Sequence, residues 1–292
     1  MQIDRFINGS SRPVCLIGYP VAHSVSPLIH NHAFRELDLP YCYIPLAVPP
    51  RSVHTAAMLF RAARFAGANV TIPHKSALAR YCDRLSPLST ATGTVNTLYW
   101  EGDTLCGTTT DPEGFTRALA AAGHTLDGSR MVLLGNGGTA RTLAIALAME
   151  QRIASLCIAG RNRERITALA AAVQTATGFP VASEPLDGKK LPGIMERCTL
   201  LVNCTSVGMH PAIDASPLPK TLLHPGMTVF DAIYNPVETK LLRDARRCGC
   251  ITENGLRMLL LQGLASFRLW TGETVPEELF PTALLQSLIE RN

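Results

Sequence analysis

Short apolar runs bounded by turn residues alternate with amphipathic stretches through the first third of the chain, a pattern that predicts strands and helices in turn. Val14–Gly18 reads as a strand. After the loop at Tyr19–Ser26, Leu28, Ile29, Ala33, Phe34 and Leu37 recur at helical spacing behind Pro27, a good first-turn residue, with Ser26 as the expected N-cap. Tyr41–Val48 predicts a second strand, Val53–Ala66 a helix, and Ala68–Ile72 a third strand stopped by Pro73, which puts His74 and Lys75 just past its end. Val95–Trp100 and Thr104–Thr108 predict a hairpin about Glu101, Gly102 and Asp103, with Asp111 following directly.

From Pro112 the pattern turns into a regular βαβ series. It holds a helix at Glu113–Ala122, a strand at Met131–Leu134, a glycine turn, and a helix running to Glu150. Further strands are predicted at Ser155–Ala159, Leu200–Cys204 and Thr228–Ile233, and their apolar runs hardly alternate, as in parallel strands buried on both faces. Helical stretches at Leu256–Trp270 and Pro276–Arg291 close the chain.

At 292 residues the chain exceeds one ordinary hydrophobic core, so two domains sharing a cleft are expected. Hydrophobic residues make up 47% and charged ones 17%, enough apolar material for a large core and far from a disordered composition. No apolar run is long enough for a membrane span, and Met1–Ser11 lacks the apolar core of a secretion signal, so a cytoplasmic protein is expected. Nine scattered cysteines without metal-like spacing read as reduced thiols. His30 and His32 lie two apart on a predicted helix and face different ways, so no metal is expected. The net charge of +4 suits an anionic ligand, but with 6% aromatics and no broad basic face, nucleic acid is not an expected partner.

Two features carry chemistry. The predicted strand Met131–Leu134 runs into Gly135, Asn136, Gly137, Gly138, Thr139 and Ala140, a GxGxxA turn that opens a helix. Gly135 permits the tight turn, Gly137 lets a pyrophosphate approach the backbone, Ala140 lets the helix pack closely, and the helix N-terminus offers free amide donors. After the next strand come Gly160, Arg161 and Asn162, then Arg163 and Arg165, where a dinucleotide domain specific for NAD carries an acid. Guanidinium groups there favour a 2′-phosphate, and NADP is the expected cofactor.

The second feature is a set of polar residues at the ends of apolar segments: Ser24 with Ser26, Asn69 with Thr71 and Lys75, Asn96 with Thr97, and Thr110 with Asp111. Taken singly, each has a structural explanation as a cap or turn residue. Together they offer short hydrogen-bonding side chains for a hydroxylated ring acid, with Lys75 and Asp111 as a pair able to exchange a proton with an alcohol.

These segments resemble the shikimate dehydrogenase family from about Val14 to Gly272. GYPVAHSVSPLIHN at Gly18–Asn31 is similar to the family's carboxylate loop, GANVTIPHK at Gly67–Lys75 to its catalytic segment, and Val95, Asn96 and Thr97 to its VNT. GNGGTA at Gly135, the NCTS run from Asn203 to Ser206, DAIYNP around Tyr234 and ENGLRMLLLQ through Gln262 follow in order. The resemblance implies Lys75 and Asp111 as catalytic residues. It implies substrate contacts from Ser24, Ser26, Thr71, Asn96, Asp111, Tyr234 and Gln262. It also implies cofactor contacts from the GNGGTA turn, from Gly160, Arg161, Asn162 and Arg165, and from Thr205, Ala232, Gly255 and Met258.

The implied fold is two-domain α/β with a deep cleft. Residues 1–111 form a substrate domain completed by helices in 256–292, and 112–255 form a Rossmann-type NADP domain. The implied activity is reversible NADP-dependent reduction of 3-dehydroshikimate, on the route to chorismate and the aromatic amino acids, with a homodimer left open as the assembly. The chain departs from the family's NTDG at Thr109, Thr110, Asp111 and Pro112, and from its NRT at Gly160, Arg161 and Asn162. A quinate/shikimate dehydrogenase with relaxed cofactor use, or a catalytically silent NADP-binding regulator, therefore stays open.

Overall fold

The computed structural model describes residues 7–281 and 285–287. The chain divides into two compact units, one of residues 1–110 and 262–292 and the other of residues 111–261.

The first unit is an α/β layer built on a mixed sheet. Its elements are β1 (Arg12–Gly18), α1 (Ser26–Glu36), β2 (Tyr41–Ala47), α2 (Val53–Ala62), β3 (Gly67–Val70), α3 (Lys75–Ala79), β4 (Arg84–Leu85), α4 (Pro87–Thr92), β5 (Thr97–Glu101) and β6 (Thr104–Thr108). The strand order is β2-β1-β3-β5-β6-β4. β1 runs parallel to both β2 and β3, while β5 is antiparallel to β3 and β6 antiparallel to β5. This arrangement has one decisive consequence. The ends of β1 and β3, the start of β5 and the end of β6 all lie along one edge of the sheet, since Asn69 pairs with Thr97 and Thr97 with Thr108.

Three details depart from the pattern read along the chain. Ser26 does not cap α1: Val25 holds the N-cap position with no side-chain bond, and the Ser24 hydroxyl instead accepts the Ser26 N–H at 3.3 Å. α2 stops at Ala62, because Arg64 adopts a left-handed φ of 53° and the Phe65 N–H returns to the Phe60 carbonyl. Beyond Pro276 there is a 3-10 turn at Glu277–Leu279, no helix at 280–281 and helix at 285–287, and the remainder of the expected helix to Arg291 lies outside the described residues.

The second unit holds α5 (Asp111–Ala121), β7 (Arg130–Leu134), α6 (Gly138–Glu150), β8 (Ser155–Gly160), α7 (Arg163–Thr177), β9 (Val181–Pro185), α8 (Leu191–Met195), β10 (Leu200–Asn203), β11 (Thr228–Asp231), α9 (Lys240–Arg247) and β12 (Ile251–Asn254). Its sheet is parallel throughout, in the order β12-β11-β10-β7-β8-β9. Read from β9, this is the doubly wound dinucleotide-binding order, with the reversal of direction falling between β7 and β10. β7 and β10 are buried along their cores, and Val132, Leu134, Leu201 and Val229 pack in one apolar cluster beneath α8 and α9. This unit is Rossmann-like.

A last helix, α10 (Gly255–Thr271), carries the chain out of the second unit and into the first. Its end is pinned to the first sheet, where Trp270 Nε1 donates to the Leu98 carbonyl at 3.0 Å and Tyr41 donates to the Trp270 carbonyl at 3.2 Å. Gly67 is required there, since any Cβ would overlap the Trp270 indole.

Candidate functional site

The polar edge of the first sheet gathers most of the expected substrate residues. Thr71 follows β3 and its N–H reaches back to the Ile17 carbonyl of β1 at 2.9 Å. Gly18 leaves the space that the Thr71 methyl group fills, so a side chain at position 18 would displace Thr71. Lys75 opens α3, half-buried, with its carbonyl accepting the Val95 N–H at 3.0 Å, which ties the lysine turn to the chain entering β5. His74 before it is buried, and its Nε2 lies 2.6 Å from the Val48 carbonyl, a bond that fixes the turn from within.

Asn96 sits at the centre of the edge, 3% exposed. Its Oδ1 accepts the Thr110 N–H at 2.9 Å and the Thr97 hydroxyl at 2.7 Å. A backbone donor cannot be reversed, so the amide is oriented with Nδ2 toward Thr110 Oγ1 at 3.0 Å and Gln262 Oε1 at 3.2 Å. Gln262 comes from α10, 166 residues away in sequence, and this bond brings it to Asn96. Ser24 and Ser26 lie half-buried in the loop leaving β1, joined by the 3.3 Å bond. Asp111 is buried, the first residue of α5 and the covalent neighbour of Thr110.

In the second unit the ends of β7, β8 and β10 open onto a cavity of about 550 Å³ lined by Gly135, Asn136, Gly137, Arg161, Arg165 and Thr205 among others. The backbone suits a close-approaching ligand. Gly135 has a left-handed φ of 109°, and a Cβ there would press on Thr205 and Cys204, whereas at Gly137 and Gly138 a Cβ would meet nothing within 4 Å. The turn is thus tight on its protein side and open on the side that faces the cavity, at the N-terminus of the 13-residue α6. That is the geometry a pyrophosphate needs. Arg161 and Arg165 are exposed at the far end, where Asn162 caps α7 through the Arg165 N–H at 2.9 Å. Gly160 has a packing cause: a Cβ would come to 2.8 Å from Ile166.

The loop after β10 is held by a buried carboxylate. Asp231 at the end of β11 accepts from Asn203 Nδ2 at 2.9 Å, the Ile233 N–H at 3.1 Å and the Thr239 hydroxyl at 2.7 Å. Asn203 Oδ1 in turn accepts the Thr205 N–H at 3.0 Å and its hydroxyl at 2.8 Å, which aims Thr205 at the cavity. Full burial pushes the Asp231 carboxyl up to about 6 despite these donors. Tyr234, just beyond, keeps its phenol proton more firmly than usual because of burial. Gly255 lies against Ala232, whose carbonyl oxygen any Cβ at 255 would overlap, and Met258 is buried one turn on. Asn203 and Asp231 each lie in a segment noted along the sequence, but their bond to each other went unseen, since it joins positions 28 apart. The signal was an Asn and an Asp each ending an apolar run.

Among the described residues, no group of three or more His, Cys, Asp or Glu side chains could hold a metal ion, and no helix is long and apolar enough to cross a membrane.

Residues 16–98 match the shikimate dehydrogenase substrate binding domain, and residues 255–285 match the shikimate 5'-dehydrogenase C-terminal domain. A shikimate dehydrogenase (NADP(+)) of Moorella thermoacetica is 41% identical over 283 residues, covering 97% of this chain and 95% of that one. The chain belongs to the shikimate dehydrogenase family. Solved members are close in shape as well. Shikimate 5-dehydrogenase of Listeria monocytogenes, in complex with shikimate and NAD, superposes with a TM-score of 0.89 at 31% identity and 99% coverage of both chains. The Thermus thermophilus shikimate 5-dehydrogenase, in complex with NADP(H) and shikimate, gives 0.83 at 33% identity over 96% of this chain and 99% of that one. The matched segments hold the Asn96 edge and the helix bearing Gln262.

Proposed function

We propose that the protein is an NADP-dependent shikimate dehydrogenase, which reversibly reduces the C3 carbonyl of 3-dehydroshikimate to shikimate. The observation that carries the reading is the Asn96 edge: an amide fixed in one orientation and bonded to Gln262, next to the turn after β3 that carries Thr71 and Lys75 and is tied to Val95 through the Lys75 carbonyl. The NADP-dependent activity named for the Moorella relative points the same way.

Bound NADPH supplies the hydride in reduction, and NADP⁺ accepts it in oxidation. Lys75 gives a proton to the carbonyl oxygen as it becomes an alcohol and takes one back in reverse. Asp111 orients the hydroxyl next to the reacting carbon, and Thr71, Asn96, Tyr234 and Gln262 hold the ring, while Ser24 and Ser26 hold the carboxylate. Such fixed partners lower the barrier chiefly by keeping the reacting atoms in near-attack geometry. The GNGGTA turn takes the pyrophosphate, Thr205, Ala232, Gly255 and Met258 take the nicotinamide end, and Arg161 with Arg165 and Asn162 takes the 2′-phosphate. The nine cysteines all stand as free thiols, which suits a reducing, cytoplasmic setting.

A steady-state matrix of shikimate and quinate against NADP and NAD tests the reading. Highest kcat/KM with shikimate and NADP supports it; preference for quinate with NAD refutes it.

A further inference from the structure

Behind the Asn96 edge lies a hydroxyl that no substrate contact explains. Ser266 stands on α10 one turn past Gln262 and is fully buried. Four polar groups surround its oxygen: Asn69 Nδ2 at 3.0 Å, Thr97 Oγ1 at 2.7 Å, Thr110 Oγ1 at 3.2 Å and the Gln262 carbonyl at 3.0 Å.

Several protons of this network are set by their partners. The Tyr43 hydroxyl donates to Asn69 Oδ1 at 2.9 Å, which turns Asn69 Nδ2 toward Ser266 as a donor. Thr97 gives its single proton to Asn96 Oδ1, so toward Ser266 it is an acceptor. Ser266 therefore receives from Asn69 and gives its own proton to the Gln262 carbonyl or to Thr97, while the Thr110 hydroxyl beside it also reaches Asn96 Oδ1 at 3.3 Å and Gln262 Oε1 at 3.5 Å. All four contacts lie in a site closed to solvent, where hydrogen bonds are strongest and an unmet group costs most.

We infer that Ser266 is a positioning residue for substrate recognition: it braces the Thr97 and Thr110 side chains that hold the Asn96 amide in place, and through Asn96 the amide of Gln262. This rests on the shikimate reading above. Ser266 touches only the residues behind the edge, so its effect falls on the affinity for the ring and not on the cofactor.

The test compares the full-length wild type with Ser266→Ala and Ser266→Cys. The cysteine keeps the volume but bonds weakly. Both variants should raise KM for shikimate about fivefold, the effect of roughly one lost hydrogen bond. KM for NADP and the secondary-structure content should stay as in wild type. Wild-type KM for shikimate in Ser266→Cys would reduce the residue to packing and overturn the inference, as would equal shifts in both Michaelis constants. If wild type fails to oxidise shikimate, the functional reading falls, and the hub is judged by exchange of the Asn96 side-chain amide protons in NMR. Faster exchange in Ser266→Ala supports it, and unchanged exchange overturns it.

Discussion

Thr110 grips Asn96 on both sides of its amide, donating its N–H to Oδ1 at 2.9 Å and accepting from Nδ2 at 3.0 Å. Asn96 also keeps the Thr97 hydroxyl satisfied, so it is structural and chemical at once. Asn96→Ala leaves the buried Thr110 N–H unmet and should lower unfolding stability by about 1–3 kcal/mol. Shikimate KM should rise by at least tenfold, roughly the worth of the lost bonds. Chemical denaturation and initial-rate kinetics read the two effects separately.

The arginines after β8 should discriminate between cofactors. Arg161→Ala should raise KM for NADP by about tenfold or more, the scale of a charge-assisted bond, while KM for NAD moves little. Equal change in both constants would remove Arg161 from the 2′-phosphate site.

Gly255 is a packing requirement before it is anything else. A methyl group there would enter the Ala232 carbonyl, so Gly255→Ala should cost about 1–3 kcal/mol and shift β11 against α10. Thermal unfolding with and without NADP measures it, and a wild-type midpoint would contradict the close approach.

Two buried titrating groups act on stability with opposite signs. Burial pushes the Asp231 carboxyl up from 3.8 to about 6, so between these values the folded protein binds more protons than the unfolded chain. Stability from this group falls as pH rises through that window, and the cost is complete above about 6. His30, packed against Tyr43 and Trp270, is pushed down by burial from 6.5 to about 3. Here the unfolded chain takes the proton first, so stability is full above 6.5 and falls as pH drops toward 3. The slopes, each limited to about 1.4 kcal/mol per pH unit, oppose one another from about 4 to 6. Asp231→Asn should remove the first slope and leave stability rising with pH across that interval. Unchanged pH dependence in urea unfolding would place the charge elsewhere.

Legibility along the chain followed burial. β7, β8, β10 and β11 are continuous apolar runs buried on both faces, and each was readable to within two residues. β4, β9 and β12 were not, because edge strands of two to five residues with mostly exposed or half-exposed side chains have no periodic signal. Strand order was equally hidden, since it depends on contacts between distant segments. At the site, Ser24, Thr71, Lys75, Asn96 and Gln262 drew notice as polar residues where apolar runs end or by likeness to a family. Ser266 did not, being one serine inside an apolar helix, although its place four residues after Gln262 puts the two on one face. Asp231 escaped for another reason: it lay inside the predicted strand Thr228–Ile233, and only the fold brings Asn203 and Thr239 to it.

The central claim is proton exchange at Lys75 during NADP-dependent oxidation of shikimate. NADPH formation should be followed in wild type and Lys75→Ala, alongside equilibrium NADP binding to both. The account predicts robust shikimate-dependent turnover in wild type, a fall of about 10²- to 10⁴-fold in the variant, and equal NADP affinity. No NADPH formation by wild type, or undiminished turnover in Lys75→Ala, would contradict it.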